Sequence, residues 1–380
     1  MIGLTPSALI PERLIKTAIK KSGLSDFGDE GFREGLQILC DSLTQDADLS
    51  LIGRLFLRER ILSALTTRLS LRKLELEQPE IFERPLNSPL IILGLPRTGT
   101  TMLHRLASST TGSRHLTTWE VMFPLPPENG PDNRRRKIEE RLRRTNIAAP
   151  SLATKHFVSV DDAEECVFLM EPSLMSPTFW TVANCDSYLH WLLDQETSQS
   201  VATYKKLLQL FQSQTPNKRL ILKAPALTPY IGELASEIPS ANFIQTHRKP
   251  EEVFVSLTSL FCTLKGLVTE DLNVSEMNQT TESLVLESLE RNQKQRETIR
   301  EGRIVDIRYT DLLEDPVSEL KRAYKTFGFD WSEESQKELV EAHNRRPQHA
   351  HGRHIYSAET YDLNTDEIAD KFAFYSDRYL

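Results

Sequence analysis

Two spacings of hydrophobic residues divide the chain. Over residues 1–85, apolar side chains recur at helical intervals among charges: Leu36, Leu39 and Leu43, then Leu51, Leu55, Leu62, Leu65 and Leu69. Steps of three and four place such residues on one stripe of a helix. Pro79 and Pro85 punctuate the end of the region. It is predicted to be an N-terminal helical extension packing on a core that occupies residues 86–380.

Beyond residue 88 the period changes. Short apolar runs at Leu90–Leu93, Leu220–Lys223, Asn242–Thr246 and Arg303–Arg308 are separated by helical stretches that include 199–213, 228–237, 251–264 and 281–301. Strands separated by helices imply βαβ units, hence an α/β fold whose parallel sheet is flanked by helices on both faces. Ligands of such sheets collect at the carboxyl ends of the strands. Three of the predicted strands run into cations there: Arg97 after the first, Lys223 closing the second, and His247-Arg248 after the third.

Composition narrows the class. A content of 39% hydrophobic and 26% charged residues suits a folded globular protein. No apolar run approaches the ~18 residues of a membrane span. The first twenty residues mix charges with aliphatics, so no secretory leader is expected. Cys40, Cys166, Cys185 and Cys262 lack paired spacing, which suggests reduced thiols in a cytoplasm and no metal site. A net charge of −8 argues against nucleic acid as a partner. Residues 132–146 interleave many arginines with Glu139 and Glu140, the pattern of a solvated helix face, with partner or lipid binding as the alternative.

The chemistry begins at residues 89–101, Pro-Leu-Ile-Ile-Leu-Gly-Leu-Pro-Arg-Thr-Gly-Thr-Thr. A strand breaks into a Gly/Pro loop that opens a helix, so backbone N–H groups and a helix dipole converge on one point. Gly94, Gly99 and Thr101 match the spacing of the triphosphate loop G-x-x-x-x-G-K-[ST], but Thr100 stands in the lysine position. The only cation in the loop is Arg97. Ordinary NTP chemistry, which needs that lysine at the transferred phosphate, is disfavoured. A second anion site is read from Arg248, a bidentate donor, and Ser256 eight residues later, two helical turns on.

The order P-[RK]-[ST]-G-T-T resembles the 5′-phosphosulfate loop of the PAPS-dependent sulfotransferases, and Arg followed by Ser after eight residues resembles their 3′-phosphate motif. Leu222-Lys223-Ala224-Pro225, Trp119-Glu120 with Phe123-Pro124-Leu125-Pro126-Pro127, Ala163-Glu164-Glu165-Cys166-Val167-Phe168-Leu169 and the tail from His351 to Glu359 are similar to segments of the bacterial-type branch. One position departs: Leu227 stands where that branch has a histidine. The resemblance implies a P-loop NTPase-like sulfotransferase fold and PAPS as co-substrate with no metal required. Around the 5′-phosphosulfate it places Arg97, Thr98, Gly99, Thr100 and Thr101. Arg248 and Ser256 fall on the 3′-phosphate, with Arg353, His354 and Tyr356 closing over it. Lys223 or Arg97 would stabilise charge on the bridging oxygen.

Transfer to a hydroxyl also needs a base. Glu165, Glu164 and His156 are the candidates. Glu165 ranks first because a carboxylate among Val167, Phe168 and Leu169 would be desolvated with a raised pKa; His156 ranks second. The acceptor is expected to be a small molecule, lipid or carbohydrate, with Trp119, Phe123, Phe157, Phe168, Phe179 and Trp180 available for an apolar pocket. A P-loop small-molecule kinase and a non-catalytic nucleotide-binding relative are the alternatives. No integral membrane association is expected, and the sequence leaves open whether the protein is an oligomer.

Overall fold

The computed structural model describes residues 9–127, 130–148, 158–345 and 358–380. Four helices come first: α1 Pro11–Ser22, α2 Phe32–Gln45, α3 Leu51–Glu77 and α4 Glu80–Glu83. Strand β1, Leu90–Gly94, leads into α5, Thr100–Ala107, and a two-residue strand β2, Ser113–Arg114, precedes α6, Thr118–Met122, and α7, Arg134–Ala148. A 3₁₀ helix, Cys166–Ser173, is followed by α8, Asp186–Asp194, α9, Ser198–Gln214, and β3, Arg219–Lys223. Next come a second 3₁₀ turn, Pro225–Tyr230, α10, Ile231–Glu237, and β4, Asn242–His247. The long helices α11, Pro250–Lys265, and α12, Val274–Arg296, lead to β5, Ile304–Arg308. Five helices close the chain: α13 Tyr309–Glu314, α14 Pro316–Phe327, α15 Glu333–Arg345, α16 Thr365–Lys371 and α17 Ala373–Tyr379.

Among the described residues, five strands form one sheet in the order β2-β3-β1-β4-β5, and each neighbouring pair is parallel. The apolar run of β1 explains its central place, since all five residues are buried. Its side chains alternate between faces, as strand geometry requires. Ile91 and Leu93 join Leu222, Phe243 and Tyr204 on one side, while Leu90 and Ile92 join Leu103, Leu106, Ile221 and Ile244 on the other. Helices cover both faces.

All four expected strands are present, with ends shifted by a residue. β2 was not expected: its Ser113-Arg114 pair has no apolar run to announce it, and it pairs only with Arg219 and Leu220 at the sheet edge. The helix expected at 228–237 splits, because Pro225 and Pro229 lie in a 3₁₀ turn and the α-helix starts only at Ile231. The helix expected at 281–301 runs instead from Val274 to Arg296, opened by Asn273, whose side chain accepts the Glu276 N–H. The arginine-rich stretch is helical, and Arg135 and Arg136 pair with Glu139 and Glu140 across one turn.

The N-terminal helices do not have a core to themselves. Leu36, Leu57, Ile61 and Leu65 share one apolar cluster with Phe179, Trp180, Tyr188, Leu257 and Phe261. Arg60 of α3 pairs with Glu171 of the first 3₁₀ helix, its Nε 3.0 Å from the carboxylate. At the start of α3 the Ser50 side chain accepts the Gly53 N–H, and Gly53 itself lies so close to the end of α11 that an added Cβ would stand 2.0 Å from the Val268 carbonyl oxygen. Backbone contact at that range cannot be relieved by a rotamer change. Gly53→Ala is therefore expected to destabilise the protein by about 1–3 kcal/mol, the range for forced overpacking, seen as a lower midpoint of urea unfolding; an unchanged midpoint would show that α3 docks loosely.

Candidate active site

β1 ends on Gly94 at the centre of the sheet, and from that residue the chain turns through Gly94–Gly99 into α5. Three residues of this turn have positive φ: Gly94 at 124°, Arg97 at 70° and Gly99 at 91°. Gly94 is there for want of space as well as for φ, since a Cβ would lie 2.4 Å from the Thr246 carbonyl oxygen. Arg97 has no such freedom, and a non-glycine residue in the left-handed region carries a conformational cost that functional loops often hold. No side chain caps the N-terminus of α5, so the first-turn N–H groups and the positive end of the helix dipole face the loop.

Two layers of hydrogen bonds hold the loop. Inside, the Thr98 hydroxyl donates to the Leu95 carbonyl at 2.6 Å and so accepts from Thr246 on β4, also at 2.6 Å. The Thr228 hydroxyl accepts the Gly94 N–H at 2.9 Å. Outside, Arg248 donates from Nη1 to the Arg97 carbonyl at 3.0 Å, and Arg97 donates from Nε to the Ser256 hydroxyl at 2.9 Å. Arg248 lies before α11, not on it, so Ser256 reaches the guanidinium of Arg97 rather than that of Arg248. Arg248 stacks over Tyr309 at 4.5 Å and pairs with Glu252. Arg97 has no carboxylate partner among the described residues. Arg97 and Arg248 thus meet at the turn, the guanidinium of the second on the carbonyl of the first.

Lys223 closes β3 beside α5. Its ammonium stands 3.2 Å from the Thr101 hydroxyl and 3.0 Å from a carboxylate oxygen of Glu165, with only 2% of the lysine side chain exposed against 26% for the glutamate. The apolar setting expected for Glu165 is not what the fold provides. The helix begins one residue later, at Cys166, and Glu165 sits at its extended N-cap facing the ammonium. Val167 and Leu169 turn into the core instead. Glu164 is buried, and its carboxylate accepts the Glu165 N–H at 2.7 Å. The Cys166 thiol meets the Tyr204 hydroxyl at 3.1 Å and donates to the Lys223 carbonyl at 3.4 Å, and burial pushes that thiol up to about 12. It is a structural cysteine.

Arg97, Thr98, Gly99, Thr100, Thr101, Lys223, Glu165, Arg248 and Ser256 are therefore gathered around the carboxyl ends of β1, β3 and β4. His156, Phe157, Arg353, His354 and Tyr356 lie outside the described residues. Leu227, the one position singled out as departing from the resemblance, is fully buried in the apolar cluster with Leu93 and Leu169. Of the expected acceptor aromatics, Phe179 and Trp180 belong to the N-terminal cluster, Trp119 carries Arg134 at 4.9 Å, and Phe168 lies under Arg60 at 5.5 Å. Thr228, Thr246 and Tyr309 were missed. A signal existed for Thr246, one of three consecutive polar residues closing an apolar strand; Thr228 carries none. Among the described residues no group of His, Cys, Asp and Glu is placed to hold a metal ion.

Residues 89–333 match the model of a family described as the sulfotransferase family. The chain is similar to the crystal structure of sulfotransferase STF1 from Mycobacterium tuberculosis H37Rv, with 27% identity and a TM-score of 0.83 over 96% of this chain and 98% of the other. It is also similar to that of sulfotransferase STF9 from Mycobacterium avium, with 25% identity and a TM-score of 0.86 over 97% and 96% of the two chains. A comparison with curated protein sequences gives no match.

Behind the loop, His104 of α5 is buried with Nε2 3.0 Å from the Ile221 carbonyl. Burial, and then the charge of Lys223, pushes its pKa down to about 3. Burial also lowers His115 and His247. An unfolded histidine titrates near ~6.5, so below that pH the unfolded chain binds protons that the folded one refuses. Stability is then full above about pH 6.5 and falls as the pH drops toward the folded value. Urea midpoints measured from pH 7 to pH 5 should fall, and His104→Gln, which keeps a donor for Ile221, should flatten the slope. Parallel curves would show that His104 is not held neutral.

Proposed function

The chain belongs to the sulfotransferase family, and from that premise we propose that it moves the sulfuryl group of PAPS to a hydroxyl of a small-molecule, lipid or carbohydrate acceptor. The observation that carries the reading is the position of Lys223, one ammonium between the Thr101 hydroxyl and the Glu165 carboxylate. It places a buried cation at the opening of the anion loop and, on its other side, a carboxylate able to take a proton.

The residues fit a ligand with two anionic ends. The loop from Arg97 to Thr101 and the start of α5 suit the 5′-phosphosulfate. Arg248 and Ser256 suit the 3′-phosphate, with Arg353, His354 and Tyr356 assigned to the same group. In the transfer, the acceptor oxygen forms a bond to sulfur as the bond from sulfur to the bridging oxygen breaks. The hydroxyl proton passes to Glu165, and the electron pair leaves with adenosine 3′,5′-bisphosphate. Lys223, with Arg97, stabilises the charge that builds on the bridging oxygen, an interaction stronger in the transition state than before it. A sulfuryl group carries less charge than a γ-phosphate, so these cations and the backbone N–H groups are expected to serve without Mg²⁺. Glu165 is preferred to Glu164, whose carboxylate is tied to a backbone N–H, and to His156.

Residues 1–85 are proposed to be an extension of the domain at 86–380, supported by the cluster that both parts share. No helix among the described residues is long and apolar enough to cross a membrane. The free cysteines suit a reducing cytoplasm.

Calorimetry with adenosine 3′,5′-bisphosphate tests the cradle. Arg248→Ala should weaken binding about 10- to 150-fold, the loss of a charged hydrogen bond worth ~1.5–3 kcal/mol, and added Mg²⁺ should change nothing. Glu165→Gln should lower turnover about 10²- to 10⁴-fold, the usual yield of a general base, while bisphosphate affinity holds. Loss of affinity with turnover retained would overturn the base assignment.

A further inference from the structure

Gln245, Thr246 and His247, the last three residues of β4, are polar and fully buried. Buried polar groups need partners, and strand alternation sends these to two sides. Thr246 faces the anion loop, where it meets Thr98. Gln245 and His247 face α12 and α17.

On that second side the hydrogen bonds form one continuous chain. The Tyr375 hydroxyl of α17 is 2.8 Å from His247 Nδ1, and His247 Nε2 is 2.7 Å from Asp306 on β5. Arg296 of α12 grips both oxygens of Asp306, at 2.8 and 2.7 Å, and donates to Gln245 Oε1 at 2.7 Å. Gln245 Nε2 donates to Asn292 at 2.9 Å, and Asn292 donates to the Thr228 carbonyl at 2.8 Å. The hydroxyl of the same Thr228 accepts the N–H of Gly94, the first residue of the anion loop.

Charge fixes the direction of each bond. Burial opposes ionisation of Asp306, but hydrogen bonds from His247 and Arg296 hold it well below the usual carboxylate range. A carboxylate only accepts, so His247 Nε2 carries the proton and Nδ1 accepts from Tyr375. Burial lowers the imidazole pKa and raises that of the phenol, which keeps His247 neutral and Tyr375 a donor. Tyr379 stacks on the imidazole, centroids 4.3 Å apart and planes at 8°.

We infer that Tyr375 and His247 are positioning residues for the cofactor site. Through them the C-terminal helix is keyed into β4, and one bonded chain sets both Arg248, the residue after His247, and Gly94 at the start of the loop. The inference rests on the reading of Arg248 and the loop as cofactor-binding groups. Removing the Tyr375 hydroxyl leaves the buried Nδ1 of His247 without its partner and loosens the strand end that aims Arg248.

Full-length Tyr375→Phe is compared with Tyr379→Phe, whose hydroxyl has no partner among the described residues. Tyr375→Phe should raise the Kd for adenosine 3′,5′-bisphosphate and the KM for PAPS about 3- to 10-fold, the scale of one neutral hydrogen bond, with kcat little changed; Tyr379→Phe should change neither. His247→Gln, which keeps a donor for Asp306 but deprives Tyr375, should behave like Tyr375→Phe and replaces it if that variant does not fold. Wild-type affinity in Tyr375→Phe, or equal losses in both tyrosine variants, would overturn the inference. Failure of the wild-type protein to bind the bisphosphate would instead overturn the cofactor reading.

Discussion

The site is organised by the buried ammonium of Lys223, held between Thr101 and Glu165. A charge removed from water is costly unless it is paired and hydrogen-bonded, and here its partners come from two separate parts of the chain. Thr101 belongs to the helix that follows β1, and Glu165 to the N-cap of a 3₁₀ helix reached through α6 and α7. The parallel sheet makes the meeting possible. β3 lies beside β1, so the lysine at its carboxyl end stands next to the loop at the end of β1. The crossovers that build the sheet thereby place cations from three strand ends at one rim.

The same sheet explains how the loop keeps its shape. The loop is shaped by the positive φ angles of Gly94 and Arg97, the second at a residue type that seldom adopts one. They persist because Thr228, Thr246 and Arg248 bond to the loop from neighbouring elements. Thr228 and Thr246 are held by buried polar contacts, and Arg248 by its stacking on Tyr309 and its pair with Glu252. Such contacts are directional, and a site that must present N–H groups and guanidiniums to an anion gains geometry from them that a greasy core does not supply.

Much of this was legible in the residues alone. The four long strands were announced by apolar runs, and the loop by its glycines, its lone arginine and its paired threonines. What the sequence hid has a physical cause in each instance. β2 is two polar-flanked residues at an edge, with no period to detect. Glu165 was legible as a carboxylate beside apolar residues, but whether it met lipid-like side chains or an ammonium depended on where a 3₁₀ helix began. Arg248 and Ser256 read as one pair by spacing, yet the helix starts after the arginine and the serine bonds to Arg97. Spacing along a helix informs only when both residues lie on it.

Sulfuryl transfer is the activity on which every role assigned to these residues depends. Wild-type protein and Lys223→Met, each with sulfur-radiolabelled PAPS and a panel of hydroxylated acceptors in the presence of a metal chelator, measure it directly. Label should appear on at least one acceptor with the wild-type protein and be lost or sharply reduced with the variant. No transfer to any acceptor by a wild-type protein that turns over ATP instead, or equal transfer by both proteins, would contradict the account.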